Sequence, residues 1–365
     1  MTVAIVAARR TPIGTAGHGL ASFTAADLAA AVLPPTLADA GLTADQVGEV
    51  VLGNCTGPGG DIARYAALQA GLGTDTPGLT VDRQCGSGLA AVTVAAALVD
   101  SGVGPVVLAG GVESVSTSPR PGRAPFAPPE LGDPEMGEAA DHVARLRGVT
   151  RERQDAYALC SHTRVATAIE HGAFDAELVP VGNLAHDERP RSGMTMARLA
   201  RMRPIFTPDG TATAGNSCGI NDGAAAVALL TDEYRRDCGL PGLRILATVT
   251  TGISPTTPGL GLVPAVHTAL AQIGATLDDI TAIELNEAFA GQLLACCDDL
   301  DLDPTRVCTE GGAIALGHPW GASGAVLLVR LFSQLVRAGR NGELGLAAIS
   351  VGGGQGVAMV VESCR

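Results

Sequence analysis

Two stretches of the chain repeat one pattern, and this repeat limits the available folds more than any other feature. GSGLAAV, from residue 86, precedes the apolar run VVLAGGVES, and GASGAVLLV, from residue 321, precedes LAAISVGGGQG. In each stretch an apolar helix opens on glycine and is followed by a strand that ends in glycine. The repeat predicts two halves related by a pseudo-twofold axis, with the two helix starts meeting at the centre.

The length and the order of the apolar runs favour a layered α/β chain. A chain of 365 residues exceeds one ordinary core, so two fused halves are expected. Strand-like runs alternate with helical patterns, which predicts a mostly parallel sheet covered by helices on both faces. The expected halves are residues 1–114 with 211–240, and residues 241–365. The expected strands are 2–14, 47–55, 104–114, 243–254, 344–356 and the start of 280–290, and the expected helices are 24–40, 61–71, 264–273, 318–339 and the run after Cys85.

Residues 115–210 differ from both halves and predict an inserted loop and cap domain. STSPRPGRAPFAPPELGDP (116–134) is rich in proline, glycine and arginine, as loops are. The next polar stretch predicts a helix with Thr150 as its N-cap. Five arginines then follow, at 189, 191, 198, 201 and 203. We expect this segment to cover the mouth of an active site.

The charge balance excludes some classes of partner. The formal net charge is −13, and all 24 basic residues are arginine, so we expect no nucleic-acid or membrane-surface partner. The nine cysteines form no C-x-x-C pair and the seven histidines lack metal-ligand spacing, which predicts reduced thiols and no metal site. No apolar run reaches the roughly 20 residues that span a bilayer. We expect a cytoplasmic protein.

Cys85 lies between the polar turn VDRQ and a long helix of small residues. At a helix start, the unpaired backbone N–H groups and the helix dipole favour the thiolate form of cysteine. A lone cysteine there is also compatible with a small residue of the core. Cys85 is therefore a candidate nucleophile that needs support from the rest of the chain.

Further motifs lie at strand ends and helix starts, where open α/β sheets bind ligands. They are AGGVES, AGNSCGINDGAA, NEAFA, GGAIALGHPWGASGA and SVGGGQG. With RTPIG near the start, these motifs in this order resemble the thiolase family over essentially the whole chain. The resemblance implies the thiolase fold: two pseudo-twofold halves of the βαβαβαββ type, layered α-β-α-β-α, with an inserted loop domain.

The resemblance also implies catalytic roles for named residues. Cys85 would take an acyl group from an acyl-CoA, and His318 would activate Cys85 and donate to a thioester carbonyl. Asn286 would position a water that shares one oxyanion hole with His318. The backbone N–H groups of Cys85 and Gly352 would form a second oxyanion hole.

The same resemblance places the CoA thioester, a substrate rather than a bound cofactor, against the inserted segment. Arg191 matches the position that contacts the nucleotide end, and Arg198 lies within reach of a phosphate. Met136 and Phe289 resemble residues that line the acyl and pantetheine pocket. Ala214 and Cys218 belong to the motif that touches pantetheine.

The chain departs from the family pattern around this pocket. Ser350 occupies the position of the second catalytic cysteine, the base that removes the α-proton in condensation. A serine hydroxyl is a poor base, so acyl transfer to Cys85 is expected to remain while the reversible Claisen reaction weakens. Glu135 stands where histidine is usual, and Cys218 where serine is usual. The loop between Glu113 and Met136 is shorter than in tetrameric members, which predicts a homodimer.

Three functions follow from these features. The first is a thiolase-like acyltransferase that makes or breaks carbon–carbon bonds through a Cys85 acyl-enzyme, alone or with a pathway partner protein. The second is decarboxylative condensation, or transfer to a non-carbon nucleophile, which needs no base at Ser350. The third is a non-catalytic subunit that binds acyl-CoA.

Overall fold

The computed structural model describes residues 2–119 and 123–365, so residues 120–122 of the predicted loop lie outside the described part of the chain. One sheet and eleven helices make up this part. The strands are β1 (Val3–Arg10), β2 (Gly14–Thr15), β3 (Val47–Gly53), β4 (Gly78–Val81), β5 (Val106–Glu113), β6 (Asn221–Thr231), β7 (Gly242–Gly252), β8 (Ile280–Leu285), β9 (Leu344–Val351) and β10 (Gln355–Cys364). The helices are α1 (Ala25–Asp39), α2 (Ile62–Gln69), α3 (Ser87–Asp100), α4 (Met136–Leu146), α5 (Arg151–Glu170), α6 (Met196–Ala200), α7 (Asp232–Asp237), α8 (Leu262–Ile273), α9 (Ala290–Asp299), α10 (Ala313–Leu316) and α11 (Trp320–Leu331).

The strand order shows the predicted pseudo-twofold symmetry. The path through the sheet is β4-β3-β5-β6-β1-β7-β10-β9-β8. The β4-β3-β5-β6-β1 half mirrors the β8-β9-β10-β7 half, and Val307 pairs in parallel with Ile283 of β8 as β4 pairs with β3. The two halves meet where β1 pairs with β7, at Ala4 opposite Arg244 and Ile5 opposite Leu243.

The sheet is mixed, so the expectation of a mostly parallel sheet was wrong. Only the β3–β4, β3–β5 and β8–β9 pairs are parallel in the described chain. Apart from the β1–β7 pair, the antiparallel pairs of the described chain involve β6 or β10, two strands that the apolar pattern did not reveal. Gly353 and Gly354 have φ angles of 79° and 81°, and they turn the chain back so that β10 pairs with β9. Left-handed backbone of this kind favours glycine.

Five layers are present, as the family resemblance implied. One core cluster packs α3 and α11 between strands of the two halves. A second cluster joins α1 and α2 to the outer face of the first half, and a third joins α8 and α9 to the second. The helix starts meet at the centre, where a Cβ on Gly88 would lie 2.8 Å from the Gly321 carbonyl oxygen, and one on Gly324 would lie 2.4 Å from the Leu89 nitrogen. The glycines of the repeat therefore permit the central helix crossing.

The inserted segment forms α4, α5 and α6, and the predicted cap is present because the Thr150 side chain accepts from the Arg153 N–H. A buried ionic network ties this segment to the core. Arg10 of β1 donates to Glu177 and to Asp187, each at 2.7 Å, and Arg330 of α11 also pairs with Glu177. The domain boundaries at 114, 210 and 240 stay a prediction.

The described residues contain neither a membrane-spanning helix nor a cluster of metal ligands. No helix there has the length and apolar character needed to cross a membrane. No group of three or more His, Cys, Asp or Glu side chains among them is placed to hold a metal ion.

Candidate active site

A cavity of about 700 Å³ opens where α3, the loop after β8, the segment before α11 and the end of β9 converge. Residues far apart in the sequence line this one space. Eight of the predicted site residues are among its lining residues: Cys85, Met136, Cys218, Asn286, Phe289, His318, Ser350 and Gly352.

Cys85 lies in a tight turn just before α3. Gln84 has a φ of 47°, which is unusual for a residue other than glycine. Ser87 stabilises the turn, because its Oγ accepts from the Arg83 N–H at 2.8 Å and donates to the Gln84 carbonyl at 2.6 Å. A Cβ on Gly86 would lie 2.7 Å from the Val351 side chain, so glycine lets the turn pack against the end of β9. The turn holds the thiol against the Ser350 segment.

The Cys85 thiol is protonated in the free protein. Burial, with a smaller contribution from negative charge on Cys218 and Glu113, raises the pKa of Cys85 to about 12. The expectation that the helix start favours a thiolate was wrong, because loss of solvent outweighs the helix dipole here. Cys85 therefore needs a base at the moment of attack.

His318 is placed to be that base. Its Nδ1 lies 2.6 Å from the Ser323 Oγ, and that hydroxyl donates to the Pro319 carbonyl at 3.0 Å. A hydroxyl has one proton, so Nδ1 must carry the hydrogen in the first bond and Nε2 keeps its lone pair. Burial lowers the pKa of His318 to about 3, which keeps the imidazole neutral. The His318 N–H donates to Asn221 Oδ1 at 2.9 Å, which fixes the backbone.

Asn286 faces the free nitrogen of this imidazole. Its Nδ2 lies 3.4 Å from His318 Nε2, and its backbone N–H donates to the Ala348 carbonyl at 3.0 Å. The next residue, Glu287, is fully buried and accepts from Tyr157 Oη at 2.8 Å and Ser161 Oγ at 2.7 Å. These bonds to α5 tie the inserted segment to the loop that carries Asn286.

The Ser350 hydroxyl is held by backbone groups. Its Oγ donates to the Gly259 carbonyl at 2.7 Å and accepts from the Leu262 N–H at 3.1 Å. The same carbonyl accepts from Gln292 Nε2 at 2.9 Å and from Cys296 Sγ at 3.2 Å. No carboxylate or imidazole hydrogen-bonds to Ser350 within the described chain. The hydroxyl therefore has no neighbour able to activate it as a base.

The predicted CoA-side residues fall into two groups. Met136, Cys218 and Phe289 line the cavity, and the Phe289 ring meets Phe206 edge-to-face with centroids 5.6 Å apart. The other three, Arg191, Arg198 and Ala214, are exposed and do not line it. Arg198 donates to the Gly193 carbonyl at 2.7 Å.

Glu135, which directly precedes Met136, also lines the cavity. It is exposed and pairs with Arg123 at 2.9 Å, and Arg123 pairs in turn with Asp133 at 2.9 Å. The guanidinium also lies over the Phe126 ring, 4.6 Å from its centroid. This ionic group fixes the loop before α4 at the cavity wall.

The sequence analysis did not identify three residues that contact or position the predicted site residues. Ser323 orients His318, and Asn221 holds its backbone. Arg189 was noted only as one of five arginines, yet it is buried beside Cys218. Ser323 and Asn221 lie inside the motifs quoted above, so their motif membership could have marked them as site residues. Nothing in the sequence distinguishes Arg189 from its exposed neighbours.

Known proteins resemble this chain in sequence and in fold. Residues 3–233 match the family model of the thiolase N-terminal domain and residues 241–363 that of the thiolase C-terminal domain. An acetyl-CoA acetyltransferase of Escherichia coli (strain K12) is 41% identical over 391 residues, covering 98% of both chains. The crystal structure of the Bacillus anthracis acetyl-CoA acetyltransferase matches with a TM-score of 0.92 and 38% identity, covering 99% of this chain and 98% of that one. The crystal structure of human mitochondrial 3-ketoacyl-CoA thiolase matches with a TM-score of 0.92 and 33% identity, covering 100% and 99%. The chain therefore belongs to the thiolase family, and it is an acyltransferase of the thiolase type.

Proposed function

We propose that this enzyme takes an acyl group from an acyl-CoA onto Cys85 and passes it to a second substrate, making or breaking a carbon–carbon bond. The observation that carries the proposal is the neutral His318 imidazole, whose Nε2 lone pair faces only the Asn286 amide at 3.4 Å, in the same cavity as a protonated Cys85. Nε2 takes the thiol proton as sulfur attacks the thioester carbonyl. The same proton then passes to the departing CoA thiolate.

Two groups of donors support the negative oxygens of this reaction. The backbone N–H groups of Cys85 and Gly352 stabilise the tetrahedral intermediate on Cys85. Asn286 and the water that it positions stabilise the carbonyl of the second thioester. Phe126 packs on Gly352, where a Cβ would lie 2.7 Å from the ring, so only glycine lets the backbone approach the substrate here.

CoA binds across the mouth of the cavity. Arg191 and Arg198 are exposed cations on an acidic protein, which suits them to phosphate groups. Exposed apolar side chains at Ile205, Phe206 and Ile220 line the same cavity. They offer pantetheine an apolar path towards Met136, Cys218 and Phe289, with Ala214 beside the entrance.

Acetyl-CoA is the acyl donor that the relatives' names support best, since two of those reported above are acetyl-CoA acetyltransferases.

The surroundings of Ser350 favour a second candidate function. Because its hydroxyl has no basic neighbour, Ser350 does not remove the α-proton in our proposal. Decarboxylative condensation, in which loss of CO₂ forms the enolate, needs no such base and is the alternative.

The assembly that we propose is a homodimer. Strand β4 ends the sheet, and an open strand edge invites pairing with another chain. Leu79 of β4 is 39% exposed, and Tyr65 and Leu68 of the adjacent α2 are 64% and 45% exposed. A second copy would bury these apolar side chains. Cytoplasmic location and a pathway partner protein stay predictions.

Intact mass spectrometry after incubation with a panel of acyl-CoAs tests the central proposal. We expect one acyl group per chain from acetyl-CoA, and none on Cys85→Ala, with Cys160→Ser as a matched control outside the cavity. The added mass identifies the preferred acyl group. A wild-type protein that accepts no acyl group from any thioester would reject acyl transfer and favour a binding subunit.

A further inference from the structure

Cys218 brings a second thiol into the cavity that holds Cys85. Its backbone N–H donates to the Ala288 carbonyl at 2.9 Å, and Ser217 pairs with Phe289 as an isolated β-bridge. These contacts fix Cys218 beside the loop that carries Asn286. The residue is partly buried and lines the cavity, which places it on the wall that faces a bound substrate.

Arg189 lies behind this part of the cavity wall. It is 9% exposed, and its Nε and Nη2 donate to the Ile314 carbonyl at 3.0 Å and the Ser217 carbonyl at 2.7 Å. Both acceptors are neutral, and no carboxylate of the described chain forms an ion pair with Arg189. A Cβ on Gly219 would lie 2.5 Å from Nη1, so glycine lets the guanidinium reach the wall next to Cys218.

A buried cation without a carboxylate requires an anion nearby, because desolvation of an uncompensated charge costs several kcal/mol. Cys218 is the ionisable group placed to supply it. Burial raises the pKa of Cys218 to about 11, and the Arg189 guanidinium opposes this rise. Arg189 therefore favours the thiolate of Cys218 over the thiolates of cavity cysteines that lack such a cation.

The two thiols are coupled by charge. Negative charge on Cys218 raises the pKa of Cys85, so ionisation of Cys218 keeps Cys85 protonated in the free enzyme. An acyl group on Cys85 removes this coupling, at the stage when the second substrate must lose its proton.

The other ionisable groups of the cavity are less suited to this step. Cys55 is buried, and burial together with Glu113 raises its pKa well above the ordinary value. His318 already acts as the base for the Cys85 thiol in the proposed function. Glu135 is exposed and paired with Arg123, and Glu138 is exposed.

We propose that Cys218, supported by Arg189, is the catalytic base for the α-proton in condensation and the acid that returns this proton in cleavage. The inference rests on the acyl-enzyme function proposed above.

In the first step, the Cys218 thiol loses its proton to solvent. Its thiolate then takes the α-proton of the second acyl-CoA: the C–H bond breaks, an S–H bond forms, and the electron pair moves to the thioester oxygen.

The resulting enolate carbon attacks the acyl carbonyl on Cys85. A carbon–carbon bond forms, the carbon–sulfur bond to Cys85 breaks, and Cys85 leaves as a thiolate that regains a proton from solvent. Arg189 touches none of the reacting atoms and is a positioning residue that sets the charge of Cys218.

Exchange of the acetyl-CoA α-protons with deuterated solvent, followed by mass spectrometry, tests this step. General base catalysis contributes about 10²–10⁴ in rate, so we expect Cys218→Ser to lower exchange by at least about 100-fold, a larger loss than the same variant shows in the rate of Cys85 acylation. Cys160→Ser, outside the cavity, is the matched control. We expect Arg189→Gln to raise the apparent pKa of the exchange rate by about 1 unit, and Arg189→Lys to restore part of this shift.

The outcomes separate this inference from the proposed function. Loss of acylation in the wild type would reject the acyl-enzyme itself. Acylation without exchange in the wild type would overturn the role of Cys218 and favour decarboxylative condensation. Exchange that survives Cys218→Ser, or that Ser350→Ala abolishes instead, would also overturn it, and so would an unchanged pH profile in Arg189→Gln.

Discussion

Ser323 holds His318 in one tautomer. The serine hydroxyl donates to the Pro319 carbonyl, so it can only accept from Nδ1, and the second imidazole nitrogen keeps its lone pair. Ser323 lies in the first turn of α11, on the same helix start that the sequence repeat places at the centre of the molecule. The repeat therefore positions both the Cys85 nucleophile and the group that orients its base.

Replacing Ser323 by alanine should slow acylation of Cys85 without unfolding the protein. The variant removes the acceptor of the Nδ1 hydrogen, so the imidazole is held less firmly in the tautomer with an unprotonated Nε2. We expect a loss of roughly 10- to 100-fold in the acylation rate, part of what general base catalysis contributes. Rapid-quench mass spectrometry measures the rate. Thr93→Val, which removes the bond from Thr93 Oγ1 to the Leu89 carbonyl in α3, is the control. An equal loss in both variants would mean that the serine acts only through helix stability.

Alkylation of Cys85 by iodoacetamide should rise with pH and show no plateau below pH 10. Burial raises the pKa of this thiol to about 12, so the reactive thiolate fraction grows about tenfold per pH unit across the neutral range. Peptide mass spectrometry follows the rate at Cys85, with the exposed Cys238 as an internal reference. A plateau near pH 8 would show that the helix start stabilises the thiolate after all.

Much of the fold could be predicted because glycines recur at matching positions of the two halves. Gly88 and Gly324 mark the close crossing of α3 and α11, and the sequence repeats them in matching contexts. The antiparallel strands β6 and β10 escaped prediction. Residues 221–231 are rich in alanine, which has no strand preference, and the direction of β10 depends on a glycine turn whose geometry the apolar pattern does not encode.

Site residues that belong to recognisable motifs could be predicted from the sequence. Properties of the site that depend on burial in the folded chain could not. Cys85, Asn286 and His318 were located from motif resemblance, and the structure brings them into one cavity. The charge state of Cys85 was not predictable, because it depends on how much solvent the folded chain excludes. Arg189 became a candidate only when its burial beside Cys218 was known.

Arg191 should contribute to acyl-CoA affinity and little to the chemistry. It is an exposed cation on an acidic protein, and in our proposal it binds a phosphate group of CoA. We expect Arg191→Ala to raise the Kd for acetyl-CoA several-fold in low salt and to leave acylation at saturating substrate close to wild type. Isothermal titration at two salt concentrations measures this, with the exposed Arg236→Ala as the control. An unchanged Kd in low salt would show that Arg191 does not bind a phosphate of CoA.

The oligomeric state should depend on the β4 edge. We expect a homodimer by light scattering, and we expect Leu79→Arg with Tyr65→Glu to produce monomers, since charges on a buried apolar patch are costly. Ile169→Glu, another exposed apolar position, is the control and should stay dimeric. A wild-type monomer at micromolar concentration or a stable tetramer would contradict the proposal.

Glu177→Gln should be among the most destabilising single changes in this chain. Glu177 is fully buried and accepts from Arg10 at 2.7 Å, from Ser333 at 2.7 Å and from Arg330. Burial alone would raise the pKa of Glu177, but Arg330 and Arg10 lower it below its ordinary value of 4.5. Its carboxylate therefore stabilises the fold above pH 4.5, and this contribution is lost as the pH falls through the lowered pKa.

At pH 7 the Glu177→Gln variant leaves two buried guanidinium groups short of charge, which costs about 3–5 kcal/mol in the free energy of unfolding. Urea denaturation from pH 7 to pH 3 measures the difference from wild type, which should shrink as the pH falls. Asp298→Asn breaks the exposed pair with Arg153 at 2.7 Å and should change stability by about 0–1 kcal/mol at any pH. A Glu177→Gln variant as stable as Asp298→Asn would mean that hydrogen bonds, and not charge, join the inserted segment to β1 and α11.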